Sequence, residues 1–209
     1  RDVLGSRGLG DVYKRQELDR AVGTITDYLD EKGLTDNTLI VIFGDHNTYY
    51  QSLSNYVKDI YLNTETDKNV TDLYRVPLMI KIGKGEESTV TVDKFTCTAD
   101  ILPTIMSLLG IRYYENLYYG HSVFSDEESV LYSRAYDVFM TDKIYFSTLN
   151  NIKYISPEVD KTYYDGIEQR SIRLLEKISF VNRIFAGDFF RGAKEEQFIM
   201  KMREINGLV

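Results

Sequence analysis

Apolar residues recur at helical spacing early in the chain and then run unbroken through a short strand. Four of them are separated by four, three and four residues, which predicts an amphipathic helix, and Gly33 can end it in a left-handed conformation. The following run, TLIVIF at 38–43, is uninterrupted and rich in β-branched residues, as is typical of a strand covered on both faces of a parallel sheet. The four helix positions are Leu18, Val22, Ile25 and Leu29.

The pattern then alternates between strand and helix. A second strand is predicted at 76–82, with Pro77 at its start, because proline cannot donate to a sheet from a central position. The stretch TADILPTIMSLLGI reads as a helix that Thr98 can cap and Gly110 can end. This alternation predicts an α/β fold with a mostly parallel sheet flanked by helices.

The last third of the chain predicts a β-hairpin region followed by a helical tail. Residues 129–135 and 143–155 have strand composition, with an asparagine turn at 150–151. Helical periodicity returns from Gly166 to Phe190, and a short charged helix is expected from Lys194 to Glu204.

The first sixteen residues differ in composition from the acidic, tyrosine-rich chain that follows. They contain three glycines and four basic residues and show no hydrophobic period. This stretch resembles translated sequencing-adapter read-through, so we expect it to be non-native and the chain to start within a longer protein. The expected division is 1–16 as a foreign segment, 17–156 as the main folded part, and 157–209 as a helical extension.

Composition excludes some classes of function. The 43% of hydrophobic residues can bury a sizeable core, whereas 32 acidic against 25 basic residues disfavour a nucleic-acid partner. Apolar runs such as Leu39 to Phe43 are far shorter than the roughly 20 residues of a membrane span. The single cysteine, Cys97, has no partner for a disulfide within the chain and is expected to be a small buried hydrophobe.

Candidate chemistry follows directly after the first predicted strand. Asp45 and His46 come at its carboxyl end, where the loops of open α/β sheets bind ligands, and Gly44 lets the backbone turn there. A carboxylate oxygen and an imidazole nitrogen are both suitable ligands for Mn²⁺ or Zn²⁺. In the alternative interpretation Asp45 caps the next turn and His46 is an ordinary loop histidine.

Four further residues are candidates for substrate binding. Arg75 precedes the second strand and could clamp a phosphate bidentately, or support the loop through a salt bridge. Tyr49 and Tyr50 follow the Asp-His pair and present aromatic faces with hydroxyl tips, which also suit packing. His121, in YGHSVF, could reach substrate or metal, or have a surface role.

The order of the stretches LDEKGLTDNTLIVIFGDH, YRVPLMIKIG, DILPTIMSLLGI and YGHSVF resembles the C-terminal half of the alkaline phosphatase and sulfatase superfamily. The likeness covers about residues 17–150. The continuation GDHNTYY is similar to the lipoteichoic acid synthase-like, or phosphoglycerol transferase, branch. The resemblance implies an incomplete alkaline phosphatase-like fold, with 17–156 as the C-terminal part of a sulfatase-like catalytic domain. It also implies that Asp45 and His46 are metal ligands, completed by a threonine nucleophile and an acidic ligand upstream of this chain.

The resemblance implies a metal-dependent transferase that moves glycerol phosphate from an anionic phospholipid headgroup. One divalent ion is expected, Mn²⁺ first, with Mg²⁺, Zn²⁺ and Ca²⁺ as alternatives. The partners would be a phospholipid headgroup or glycerol-phosphate polymer, at the outer face of a bacterial cytoplasmic membrane that the protein reaches through helices outside this chain. The alternatives are a sulfatase or phosphodiesterase that transfers to water, and a fragment that is inactive by itself.

Overall fold

The computed structural model divides into two compact units. The first contains Arg1–Tyr49 and Tyr74–Val90, and the second contains Tyr50–Leu73 and Thr91–Val209. Two sheets are present among the described residues, one of two strands and one of four. The residues that the structure describes are 3–46, 75–84, 89–134, 137–147, 153–155, 159–189, 191 and 193–207.

The first unit begins with the long helix α1, Val3–Glu31. Gly33 follows it with a φ of 64°, which confirms the predicted helix and the glycine that ends it. A single 3₁₀ turn, Thr35–Asn37, then leads into the first strand. The proposed foreign segment lies at the start of α1, and the boundary at residue 16 stays a prediction.

The two strands of the first unit pair antiparallel, which corrects the mostly parallel sheet expected from the sequence. Strand β1, Leu39–Phe43, pairs with β2, Leu78–Ile82, in a register from Leu39 opposite Ile82 to Phe43 opposite Leu78. The side chains of β1 are half-buried or exposed rather than covered on both faces. A local apolar run indicates a strand but not its direction, because the direction depends on the partner strand.

Helix α2, Ile101–Leu108, opens the described helical part of the second unit. It is preceded by a 3₁₀ turn, Thr98–Asp100, whose N-terminal capping residue is Cys97 rather than the predicted Thr98. Gly110, with a φ of 67°, ends the helix as expected. Residues 89–97, which precede the 3₁₀ turn, contain no strand.

A four-stranded antiparallel sheet confirms the predicted β-hairpin region. Its strands follow one another in the order β3-β4-β5-β6. The predicted asparagine turn at 150–151 lies outside the described residues. Strand β4, the second strand of this sheet, was not predicted, since three residues are too few to show a period. The strands are β3, Leu131–Ser133; β4, Val138–Met140; β5, Ile144–Ser147; and β6, Lys153–Ile155.

Two helices form the predicted tail. Helix α3 spans Lys161–Ala186, and the Asp160 side chain caps it by accepting the Tyr163 N–H at 2.7 Å. It begins five residues before the predicted Gly166, because KTYYD carries no clear apolar period. Helix α4 spans Ala193–Ile205, close to the prediction. Within the described ranges no helix is long and apolar enough to cross a membrane.

The core of the second unit lies between its sheet and α3. Phe139 and Phe146 stack at 5.2 Å between ring centroids, and Tyr132 stacks on Phe139 at 4.7 Å. Ile167 of α3 is fully buried against Phe139, Ile144 and Phe146. The sheet therefore gains its buried face from the helix that follows it.

Candidate metal site

Asp45 and His46 emerge side by side from the carboxyl end of β1. The Oδ1 atom of Asp45 lies 3.6 Å from Nε2 of His46. The Asp45 side chain is 83% exposed and the His46 side chain is 50% exposed. The carboxylate and the imidazole face each other rather than diverging.

This geometry fits shared coordination of one divalent ion. In zinc proteins the histidine nitrogen and the carboxylate oxygen each lie about 2.0–2.2 Å from the metal, so two such ligands are at most about 4.3 Å apart. The 3.6 Å separation of the Asp45 and His46 atoms lies within that limit. No group of three His, Cys, Asp or Glu residues forms a metal site among the described residues. As metal ligands the pair would supply two donors, half of a four-ligand site. In the alternative interpretation Asp45 caps the turn that follows it. That turn involves residues 47–50, which lie outside the described residues.

Gly44 holds the start of this loop against the segment before β2. Its N–H donates to the carbonyl of Pro77 at 3.0 Å, which extends the pairing of the two strands by one residue. A Cβ atom placed on Gly44 would lie 2.7 Å from the Cβ of Val76. Gly44 is not one of the described glycines with positive φ, so the residue provides room for a neighbouring chain rather than an unusual backbone angle.

Arg75 lies at the same end of the two-stranded sheet as the Asp-His pair. It precedes β2, whereas Asp45 and His46 follow β1, and antiparallel pairing brings these two ends together. The Arg75 side chain is exposed. Tyr49 and Tyr50, the other two candidates expected near the pair, lie outside the described residues.

His121 belongs to the second unit, where it lines an open cleft of about 980 Å³. Its Nδ1 lies 3.1 Å from a carboxylate oxygen of Glu127. On another wall, Arg170 of α3 pairs with Glu128 at 3.2 Å. His121 thus has an acidic partner within its own unit, and its part in substrate binding stays a prediction.

A buried polar clamp fixes the backbone around His121. The Asp100 carboxylate, 1% exposed, accepts the N–H of Cys97 and the N–H of His121, each at 2.8 Å. The hydroxyl of Thr104 donates to the Asp100 carbonyl at 2.6 Å and accepts the Val123 N–H at 3.0 Å. The sequence pattern did not indicate this clamp. The sequence feature that could have indicated the clamp is the presence of DILPT and YGHSV in the same chain.

Burial shifts the pKa values of several titratable groups of the second unit. It raises the pKa of the Cys97 thiol to about 12, with the Asp100 charge adding to the effect. It also raises the pKa of Tyr163, whose hydroxyl donates to Glu128. The ammonium of Lys177 has its pKa lowered by burial, against the opposing effect of Glu127. None of these groups lies in the unit that carries the Asp-His pair.

The chain is similar to one protein-family model and to lipoteichoic acid synthases of two bacteria. The Sulfatase family model matches residues 14–111, which include the Asp-His pair, Arg75 and the start of the clamp. Lipoteichoic acid synthase 1 of Bacillus subtilis is 28% identical over 183 residues, covering 87% of this chain and 28% of that protein. Lipoteichoic acid synthase of Staphylococcus aureus strain USA300 is 27% identical over 195 residues, covering 90% of this chain and 29% of that protein.

A solved structure shows the same fold. The lipoteichoic acid synthase LtaP from Listeria monocytogenes matches with a TM-score of 0.60 and 20% sequence identity, over 78% of this chain and 43% of that one. The match confirms the predicted alkaline phosphatase-like fold with a helical tail. The chain spans somewhat over a quarter of the length of these curated relatives.

Proposed function

We propose that this chain, which belongs to the alkaline phosphatase/sulfatase superfamily and to its lipoteichoic acid synthase-like branch, is part of a metal-dependent phosphoglycerol transferase. The observation that carries the proposal is the 3.6 Å approach of Asp45 Oδ1 to His46 Nε2 at the end of β1. The pair lies inside the region that the Sulfatase family model matches. Its oxygen and nitrogen donors suit a hard or borderline divalent ion.

Asp45 and His46 would hold one divalent ion, Mn²⁺ in our proposal. When bound, the ion would neutralise charge that develops on a phosphoryl group and activate a hydroxyl nucleophile. The carboxylate of Asp45 would add the negative charge that a cation needs, and the neutral imidazole of His46 a directional lone pair. The nucleophile would be a threonine upstream of this chain.

Arg75 would orient the phosphoryl group from the opposite strand. Its guanidinium presents a planar fork of N–H donors that can bind two phosphate oxygens together. Antiparallel pairing of β1 and β2 supports this role, since it brings the Arg75 backbone to the sheet end that carries Asp45 and His46. Tyr49, Tyr50 and His121 are proposed as further substrate contacts.

The proposed substrate is the glycerol phosphate of an anionic phospholipid headgroup, and the acceptor is a hydroxyl, including that of a growing glycerol-phosphate polymer. Such substrates would place the intact protein at the outer face of the bacterial cytoplasmic membrane, with membrane association through helices outside this chain. The names of the curated relatives, which are lipoteichoic acid synthases, support this choice of substrate class.

A second candidate is a hydrolase of the same fold, a sulfatase or phosphodiesterase that transfers to water. The matching family model, described as Sulfatase, favours it. The two candidates differ in the upstream nucleophile and in the product.

A third proposal concerns the 209-residue chain alone, which we expect to be inactive because its described residues supply two donors of the metal site.

The test compares two matched aspartate variants of the intact protein that contains these residues. Asp45→Asn should lower the release of labelled glycerol phosphate from phosphatidylglycerol by about 100-fold or more, as expected when a charge-stabilising group is lost. Asp27→Asn, the same change on an exposed position of α1, should retain wild-type turnover. Label in polymer would identify a transferase, and free glycerol phosphate a hydrolase. Wild-type turnover by Asp45→Asn would refute the assignment.

A further inference from the structure

We propose that Gly44 and Val76 form a latch that positions the metal pair, with Gly44 as its positioning residue. The inference rests on the proposed function, because its purpose is to hold Asp45 and His46 in place for an ion. The latch consists of the Gly44 backbone, the Val76 side chain and the hydrogen bond from Gly44 N–H to Pro77 O.

The latch lies where the paired strands give way to the loop that bears the ligands. The paired register of the two strands ends at Phe43 opposite Leu78, and the 3.0 Å hydrogen bond from Gly44 N–H to Pro77 O extends the contact by one residue. Asp45 follows with no intervening residue. The direction of its side chain therefore depends on how closely the Gly44 backbone approaches Val76.

The space at Gly44 admits hydrogen but not a methyl group. A Cβ there would lie 2.7 Å from Val76 Cβ and 3.0 Å from its Cγ1. Non-bonded carbon atoms prefer a separation of about 3.5–4.0 Å, so alanine would force the two segments apart by roughly 0.8 Å or more. The nearest atom, Val76 Cβ, is bonded to the backbone and cannot move away by a rotamer change.

A displacement of that size exceeds what a metal site tolerates. Functional constellations must be held to within about 0.5 Å of their working geometry. Loss of groups that orient metal ligands typically lowers metal affinity by about 10- to 100-fold. The φ of Gly44 is not in the positive range, so alanine meets no backbone penalty and its effect would come from the contact with Val76 alone.

The experiment measures the Mn²⁺ affinity of the intact protein by a titration in which electron paramagnetic resonance detects the free Mn²⁺. Thermal unfolding in EDTA gives a measure of folding that does not depend on the metal. Gly44→Ala should weaken Mn²⁺ binding by about 10- to 100-fold. Gly23→Ala, the same change in the same unit with no atom within 4 Å of the new methyl, should bind as wild type.

Rescue variants separate positioning from general damage. Val76→Gly removes both close atoms, so Gly44→Ala/Val76→Gly should restore Mn²⁺ affinity to near that of Val76→Gly alone. Val76→Ala keeps the Cβ at 2.7 Å and should not restore it. If Gly44→Ala does not fold, the Val76→Gly double variant carries the test in its place.

The outcomes distinguish the inference from the function on which it rests. Wild-type affinity in Gly44→Ala, or a folded Val76→Gly double variant that still binds weakly, would overturn the latch while His46→Ala abolishes binding. Equal rescue by Val76→Ala would also overturn it, since the Cβ contact would then be irrelevant. Mn²⁺ affinity that is unchanged in His46→Ala would instead remove the metal pair and the proposed function.

Discussion

Replacing Thr104 by valine tests the polar clamp that joins α2 to the segment around His121. The side chain is fully buried, and its hydroxyl donates to the Asp100 carbonyl and accepts from the Val123 N–H. Valine has nearly the same shape but neither donor nor acceptor. The change therefore removes both hydrogen bonds without opening a cavity.

The cost follows from the two bonds. An N–H left without an acceptor in a buried setting costs about 1–3 kcal/mol, and loss of an ordinary hydrogen bond about 0.5–1.5 kcal/mol. Thr104→Val should therefore lower the free energy of unfolding of the second unit by about 1.5–4.5 kcal/mol. The Val123 amide should also exchange its hydrogen faster, since its acceptor is gone.

Urea unfolding gives the free energy, and hydrogen exchange read by mass spectrometry gives the local effect. Thr24→Val is the matched control, because that exposed hydroxyl in α1 donates only to the Arg20 carbonyl one turn earlier. It should change stability by less than about 0.5 kcal/mol. An equally small change in Thr104→Val, with unaltered exchange at Val123, would refute the clamp.

Two further predictions concern the second unit. Because desolvation raises the pKa of Cys97 from 9.0 to about 12, native protein at pH 8 should react with iodoacetamide more slowly than urea-unfolded protein. Equal rates would contradict this raised pKa. The folded pKa is the higher one, so the contribution of this thiol to stability is present below pH 9 and is lost as the pH rises towards about 12. Asp160→Ala removes the cap of α3 and should cost about 0.5–2 kcal/mol in urea unfolding, and an unchanged midpoint would show that the bond to Tyr163 contributes nothing.

Helices were predictable where their signals are local. The apolar spacing predicts α1 from residues within the helix itself, and the glycines that end α1 and α2 follow them within a few residues. Both glycines have positive φ as expected. The start of α3 was predicted late because its first turn is polar and aromatic, and its cap is a single aspartate, Asp160. The short charged helix α4 was found from its composition and spacing.

Strand partners were not predictable in the same way. The run from Leu39 to Phe43 indicated a strand, but nothing in it distinguishes a parallel neighbour from the antiparallel β2. The three residues of β4 are too short for a period and are recognised only through their pairing with β3 and β5. Strand pairing depends on residues that are far apart in the sequence, so a local pattern does not indicate it.

The site was predictable in part. The position of Asp45 and His46 after an apolar strand pointed to a ligand-binding loop, and their 3.6 Å approach is compatible with that hypothesis. The placement of Arg75 at the same sheet end depends on antiparallel pairing, which the sequence did not indicate. The clamp by Asp100 and Thr104 was missed because its long-range partners are backbone N–H groups about twenty residues away. Nearly every residue carries such a group, so the sequence does not mark them.

Pulsed electron paramagnetic resonance of the Mn²⁺-loaded intact protein tests the central claim most directly, because it detects nitrogen bound to the ion. We predict a histidine nitrogen coupling in the wild-type protein that is lost in His46→Ala and kept in His121→Ala. A nitrogen coupling that persists in His46→Ala, or a wild-type spectrum without one, would contradict the proposal that the Asp45–His46 pair holds the metal.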